Sequence, residues 1–518
     1  MHDYGEEEGY QQTMTKTKGA GGVRARKRLA VASGVLVRLR RHDFRAARSW
    51  INTMYPGRSL PRRLLLFFGW VMRMLWIAIP ETRRWATLAR TVSKTSIWLE
   101  EGDPFDNYPF KSEPLARLPQ EAEVVVIGCG LIGSAVAYHW SKLGTGQLVV
   151  LERNGVASGS AGRNEGLLVM GRHYYLVYST VLRHLSLERL DLSERERADL
   201  AHECAAAYVR AAHANAEMIA ETIRGERIEC DYRRNGWVQV PNPEALEALE
   251  ASTQMARERG FPDWVKISSE AASRHSGIRS NLPAGFSVGA ATWHPAKWVW
   301  ELIRIALASE RVELFTRTQA LKVEDLGGRY AVHTQRGVVQ ARFVVNATEA
   351  HTPQLFPEFH NVVLPMQTQA AFGESDGGTM KPGVGISSDR AFYGRHVNGV
   401  LFGSDATRVS DREAGRNQPS RFITNFVLTE MEPLFEIQRL RVTNEWSGTV
   451  SYTPDEYPLV GTMDGKGLYI IAGLAGSGSG HCFNAGRHVV CKILGIEGPD
   501  YYPEKYFSPR RFARLRWA

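Results

Sequence analysis

Residues 122–166 constrain the fold more than any other part of this chain. Ala122-Glu123-Val124-Val125-Val126-Ile127 ends in four consecutive β-branched residues and reads as a buried parallel strand. A turn, Gly128-Cys129-Gly130-Leu131-Ile132-Gly133, closes it. Helical spacing follows over 131–143, where Leu131, Ala135, Tyr138 and Lys142 recur three or four apart until Gly144-Thr145-Gly146. Gln147-Leu148-Val149-Val150-Leu151-Glu152 is then a second strand. A Gly-x-Gly-x-x-Gly run alone is a weak signal, but strand, turn, helix and strand in this order make a βαβ dinucleotide site. Gly128 permits the tight turn, Gly130 lets backbone approach a pyrophosphate, and Gly133 lets helix pack on strand. The amides at Leu131 and Ile132 open the helix, where its dipole favours an anion. Glu152, with Arg153 beside it, ends the second strand about 20 residues past the last glycine, the place of a carboxylate that takes ribose hydroxyls. An acid there argues against a 2′-phosphate, so the dinucleotide is FAD or NAD.

The next turn separates the two. Val156-Ala157-Ser158-Gly159-Ser160-Ala161-Gly162-Arg163-Asn164-Glu165-Gly166 resembles the second flavin motif of the D-amino-acid oxidase family. Arg163, Asn164 and Gly166 match the Gly-Arg-Asn-x-Gly form of its amine-oxidising branch. Towards the other end, Trp446-Ser447-Gly448 and Thr453-Pro454-Asp455-Glu456-Tyr457-Pro458-Leu459-Val460-Gly461 are similar to the family's Trp-x-Gly and Thr-x-Asp-x-x-Pro-x-x-Gly runs. Gly476-Ser477-Gly478-Ser479-Gly480-His481 resembles its third glycine-rich turn. The resemblance spans residues 122–498.

It implies an α/β fold in which a Rossmann-type FAD-binding domain (122–228, 290–352 and 446–498) is interleaved with an α+β substrate domain (229–289 and 353–445). The implied reaction is hydride removal from a carbon bearing an amine or amino-acid nitrogen. FAD is expected at Gly128, Gly130, Leu131, Ile132, Gly133, Glu152, Arg153, Ser158, Ser160, Arg163, Asn164, Gly166, Leu167, Gly478, Gly480 and His481. A helix from Asn484 to Leu494 would turn its positive end towards the flavin's pyrimidine ring. Pocket candidates are His173, with Tyr174 and Tyr175 beside it, and Tyr393, Arg395 and Trp446. No catalytic residue and no metal site is assigned.

Departures from the family pattern narrow the reading. Glu349 replaces the usual glycine in Asn346-Ala347-Thr348-Glu349-Ala350, so either its side chain faces solvent or the loop approaches the flavin less closely. His294 stands where an acid is usual before Pro295. Val450 stands where glycine oxidase carries a carboxylate-gripping arginine, which counts against a small free amino acid. Leu401 stands where sarcosine oxidase has an oxygen-assisting lysine, so the acceptor is oxygen or a quinone. The flavin-bonding cysteine of sarcosine oxidase aligns near Gly448, so FAD should be non-covalent. Two rival functions keep the fold: a membrane-associated dehydrogenase of a hydroxy acid or polyol feeding quinone, and an interaction protein without catalysis.

Charge separates the extension from this body. Of the net +9 over 518 residues, residues 1–100 hold 19 basic against 7 acidic side chains, a balance of +12 that leaves −3 for the rest. Residues 1–22 are polar and read as a disordered tail. Residues 23–98 read as a basic helical extension, and 99–121, with four prolines, as a linker; 499–518 reads as a C-terminal tail. From Leu64 to Ile79 only Arg73 is charged, but a spanning helix needs about 20 apolar residues. Two readings stand for 23–84: an interfacial helix on anionic lipid, or a helix docked on the enzyme body or a second subunit. Nucleic acid is not expected, since no recognised module accompanies the arginines. Five unpatterned cysteines suit a reducing compartment, and the expected location is cytoplasmic, peripheral on the inner membrane face if the lipid reading holds.

Overall fold

The computed structural model describes residues 59–77, 86–240, 246–261, 264–388 and 391–512. The readings of 1–22 as a tail and of 23–58 as arginine-rich helices lie outside the described residues. The chain divides into two units, Met1–Arg84 and Trp85–Ala518. In the first, Leu60–Ile77 is one 18-residue helix. Among the described residues no helix is long and apolar enough to cross a membrane.

The second unit is built on two sheets. In the first, the parallel strands Val312–Phe315, Leu148–Leu151, Glu121–Ile127 and Gly337–Asn346 lie side by side in that order. Leu468–Ala472 pairs parallel with the last residues of Gly337–Asn346, and Leu459–Thr462 closes that edge antiparallel. The first residues of Gly337–Asn346 pair instead with Tyr330–Thr334, which carries Ala320–Asp325 on its far side. Residues Val124–Ile127 and Leu148–Leu151 are buried, which is why they read as uninterrupted runs such as Val124-Val125-Val126. Helix Leu131–Leu143 packs beneath Cys482–Leu494, where Gly486 lets the backbones close up: a Cβ there would stand 2.8 Å from that of Ala135. Trp298, from helix Pro295–Leu307, meets Phe483 edge-on at 5.2 Å.

The second sheet has nine strands in the order Ala86–Ser93, Leu440–Tyr452, Leu364–Glu374, Gly399–Arg408, Ala391–His396, Gly385–Ser387, Trp237–Gln239, Ala284–Ser287 and Trp264–Ile267. Its edge strand corrects an expectation. Residues 86–98 are not helical extension: 86–93 pair parallel with the strand at Leu440, and Trp98 is buried in a 3₁₀ turn. The supposed linker is also tied down, since Asp103 Oδ2 accepts from Val156 N at 2.7 Å and Thr316 Oγ1 from Tyr108 N at 2.7 Å.

Other departures have local causes. Tyr174–Glu188 and Glu194–Glu226 are separate helices, because Ser193 and Glu196 form a reciprocal capping box that starts the second afresh. Arg227, at φ +56°, ends that second helix. Gly337–Asn346 is one continuous strand of 10 residues. Residues 499–512 are no loose tail, since Arg511 reaches back to both carboxylate oxygens of Asp455 at 2.8 and 3.0 Å. All five cysteines are free thiols.

Candidate flavin site

A cavity of about 670 Å³ runs from the first glycine turn, between the two sheets, to the aromatic face of the nine-stranded sheet. At one end Gly128 takes φ +105°, and a Cβ on it would lie 2.8 Å from Ala347 O. Gly133 is tighter still, with its Cβ position 1.9 Å from Gly128 O. Neither tolerates a side chain. Gly130 differs, since a Cβ there would meet only Ala161, at 3.5 Å, and would project into the cavity. The helix that follows begins at Leu131 with no side-chain cap, so its first amides are open to an anion. Glu152 secures the turn from the next strand: Cys129 N donates to Oε2 and Asn154 N to Oε1, both at 2.8 Å. Burial holds its carboxyl above the ordinary range despite these bonds.

The second turn is fixed by its own side chains. Asn164 Nδ2 donates to Ala161 O at 2.7 Å and its Oδ1 accepts from Gly166 N at 2.8 Å. Arg163 Nε donates to Ser158 O at 2.9 Å. Trp446 Nε1 donates to Arg163 O at 2.9 Å and Trp98 Nε1 to Asn164 O at 2.7 Å, so the loop hangs between two buried indoles. The third turn, Gly476–Ser479, lines the facing wall and leads into Cys482, where helix Cys482–Leu494 starts.

Glu349 does not face solvent. It adopts φ +50°, where glycine would be at ease, and its Oε1 accepts from Ser451 Oγ at 2.6 Å and Leu474 N at 3.3 Å. Oε2 is buried and has no hydrogen-bond partner among the described residues. Burial raises its carboxyl above the usual range against those bonds. The carboxyl therefore braces the strand end at Asn346 to the third turn.

The cradle fits a dinucleotide on the geometry alone: open amides at a helix start, a glycine with free space before it, and a carboxylate at the second strand's end. Residues 123–491 match the model of the family described as FAD dependent oxidoreductase. The chain belongs to that family, and is an FAD-dependent oxidoreductase. It is 24% identical to gamma-glutamylputrescine oxidoreductase of Escherichia coli over 386 residues, which is 72% of this chain and 84% of that protein. A 56-residue match, 45% identical, to the mouse mitochondrial pyruvate dehydrogenase phosphatase regulatory subunit covers 11% of this chain and 6% of that one. In structure it resembles glycine oxidase from Geobacillus kaustophilus, with TM-score 0.62 at 18% identity over 75% of this chain and 98% of the other.

The residues expected to hold FAD fall into two groups. Gly128, Gly130, Leu131, Ile132, Glu152, Arg153, Ser158, Ser160, Arg163, Asn164, Leu167 and Gly478 line the cavity. Gly133, Gly166, Gly480 and His481 do not; they hold the turns together from behind. Gly166 (φ +64°) lies against Trp98 and Trp293, and His481 is turned inward on Tyr208 with ring centroids 4.3 Å apart. Burial drops His481 to about 3, which keeps it neutral.

Of the pocket candidates, His173 lines the cavity and also caps helix Tyr174–Glu188. Burial, with Arg172 adding to it, lowers its pKa to about 4. Tyr174 is core, packed near His202. Tyr393 and Arg395 do not line the cavity, and their strand explains why: alternation puts Phe392 on the cavity face and its odd-numbered neighbours on the other. Tyr393 is buried against Phe435, and Arg395 Nη1 donates to Met380 O at 3.1 Å. Trp446 sits under the second turn, not in the cavity. His294 is a helix cap, its Nδ1 accepting from Lys297 N at 3.1 Å, which accounts for a residue other than the acid there.

The sequence reading missed Trp237, Gln239, Trp264, Phe392 and Glu165, all of which line the cavity. For Glu165 the signal was present: a charged residue at the free position of the Gly-Arg-Asn-x-Gly turn. The aromatic residues had none, because short strands brought together across the sheet make their wall.

Proposed function

We propose that this protein oxidises the C–N bond of an amine or amino acid by hydride transfer to non-covalently held FAD. Bound FAD supplies two-electron acceptance, and the protein supplies orientation, desolvation and charge. The observation that carries the reading is the continuity of one cavity from the dinucleotide turn to a wall of Trp237, Trp264 and Phe392. A substrate carbon seated on that wall would share one cavity with FAD bound at the glycine turns. Gly448, which also lines the cavity, offers no atom for a covalent flavin bond.

Leu401 is fully buried and does not line the cavity, so the acceptor is either oxygen or a quinone. The test is anaerobic mixing of the FAD-loaded protein with panels of amines, amino acids and hydroxy acids while flavin absorbance is followed. Bleaching by amines or amino acids is the expected result. Bleaching by hydroxy acids alone would replace this reading with that of a hydroxy-acid dehydrogenase. Reoxidation by air or by a soluble quinone then identifies the acceptor. For the apolar helix Leu60–Ile77 we retain the interfacial reading, tested by salt-sensitive co-sedimentation with anionic vesicles.

A further inference from the structure

One carboxyl group in the cavity has no role in holding the fold. Glu165 lies between Asn164 and Gly166, and both neighbours are committed, Asn164 through its side-chain bonds and Gly166 through its positive φ against Trp98. Its side chain is therefore presented from a fixed backbone. On the far side it abuts Gly403 of the strand Gly399–Arg408, where a Cβ would lie 2.7 Å from Oε1 and 2.8 Å from Cγ. Only glycine at 403 leaves the carboxyl its place.

Among the described residues no other side chain bonds to or pairs with Glu165, and its own backbone N–H is its single partner. The cavity's arginines are engaged elsewhere. Arg172 pairs with Glu456 at 2.6 Å, Arg163 donates to Ser158 O, and Arg153 Nη1 donates to Gln354 Oε1 at 3.4 Å. Burial pushes the Glu165 carboxyl up to about 7, its own amide pulling the other way, so near neutral pH the group can exchange a proton. Trp237, Trp264 and Phe392 line the same cavity, and aromatic rings attract cations. A half-buried carboxyl on the cavity wall, with no counter-ion among the described residues, suits a cation.

We propose that Glu165 is the substrate's ammonium site, and that the substrate is an amine cation with an apolar or aromatic body and no carboxylate beside its nitrogen. This rests on the amine-oxidising reading of the flavin site. The ammonium N–H proton passes to the Glu165 carboxylate, and the nitrogen keeps the lone pair. The C–H electron pair then leaves Cα as hydride, with FAD as the two-electron oxidant, while the nitrogen lone pair forms the C=N bond. The amine is thereby oxidised to an iminium ion, which water hydrolyses to a carbonyl compound and ammonia or a smaller amine. Val450, lining the cavity, offers a substrate carboxylate no charge to pair with.

The test uses the full-length FAD-loaded protein and two aromatic probes of opposite charge, benzyltrimethylammonium and benzoate, titrated by their perturbation of the flavin spectrum. The quaternary nitrogen has no lone pair, so the cation binds without turnover. Wild type should bind the cation at least tenfold more tightly than benzoate. Glu165→Gln should lose roughly 10- to 100-fold of cation affinity, the attraction of a carboxylate for a cation that has no N–H to donate, with FAD content unchanged. Gly403→Ala keeps the carboxylate but pushes it aside, and should weaken the cation in the same direction. A preference of wild type for benzoate, or unchanged cation affinity in Glu165→Gln, overturns the assignment. If neither variant folds, the wild-type preference decides alone. Flavin that no amine bleaches, in a protein that still prefers the cation, would instead overturn the amine-oxidising reading.

Discussion

Trp98→Ala probes the least expected part of the fold. The indole is 4% exposed and belongs to a segment whose sequence reads as the end of an extension. Three contacts fix it: Nε1 donates to Asn164 O at 2.7 Å, and the ring lies edge-on to His294 and to His396, each at 4.9 Å. Gly166 presses so close that a Cβ there would stand 2.5 Å from the ring. Truncating a packed tryptophan costs about 3–5 kcal/mol. Trp98→Phe keeps most of the ring and isolates the lost bond, at about 1–3 kcal/mol for an acceptor left unpaired. Because Asn164 belongs to the second glycine turn, part of this cost should appear as weaker cofactor binding, with each 1.4 kcal/mol giving about a tenfold rise in Kd. Denaturant unfolding followed by tryptophan fluorescence, with flavin release followed separately, reads both quantities. Trp98→Ala with an unchanged midpoint and unchanged FAD affinity would refute the reasoning, and residues 86–99 would then be an appendage.

Other outcomes follow from the same geometry. A chain beginning at Ala122 loses the edge strand and Trp98 and should retain FAD poorly, whereas one beginning near Trp85 should retain it; absorbance at normal stoichiometry in both would remove the correction made to the linker. Gly130→Glu fills the space before the open amides with a like charge, so the purified protein should lack flavin absorbance. Acid precipitation should release all flavin as free FAD, and colour left in the pellet would contradict the non-covalent reading. Arg511→Met leaves Asp455 buried and unpaired and should cost about 3–5 kcal/mol at pH 7. Although burial acts upward on Asp455, Arg511 prevails and its folded pKa lies below the usual 3.8. The stability from the pair is therefore present above about pH 4 and lost as pH falls through the folded value. Unfolding midpoints of wild type and variant should converge in acid.

What the sequence made legible was decided by how local each residue's reason is. Gly128, Gly130 and Gly133 answer to one turn and one helix start, and their roles could be argued before any coordinates. Tyr393 answers to a sheet. One residue of register separates it from Phe392, and the six residues Ala391–His396 carry no alternation strong enough to say which face is inside. The strand Ala86–Ser93 answers to a partner more than 350 residues away, Ala86 facing Leu440, and its Ala-Thr-Leu-Ala-Arg-Thr-Val-Ser run has no period of its own. Glu349 shows the limit most sharply. Its glycine-like φ belongs to the local turn and was legible as a departure. The direction of its carboxyl is set by Ser451 and Leu474, on segments the chain reaches only a hundred residues later. Inward orientation leaves Oε2 buried on the cavity wall with no partner among the described residues, a cost that only the native packing imposes. The same separation holds for Glu165. The turn that presents it is local, but the space it occupies is granted by a glycine on the other sheet. A variant at Gly403, far from any flavin motif, therefore tests the site as directly as one at Glu165 itself.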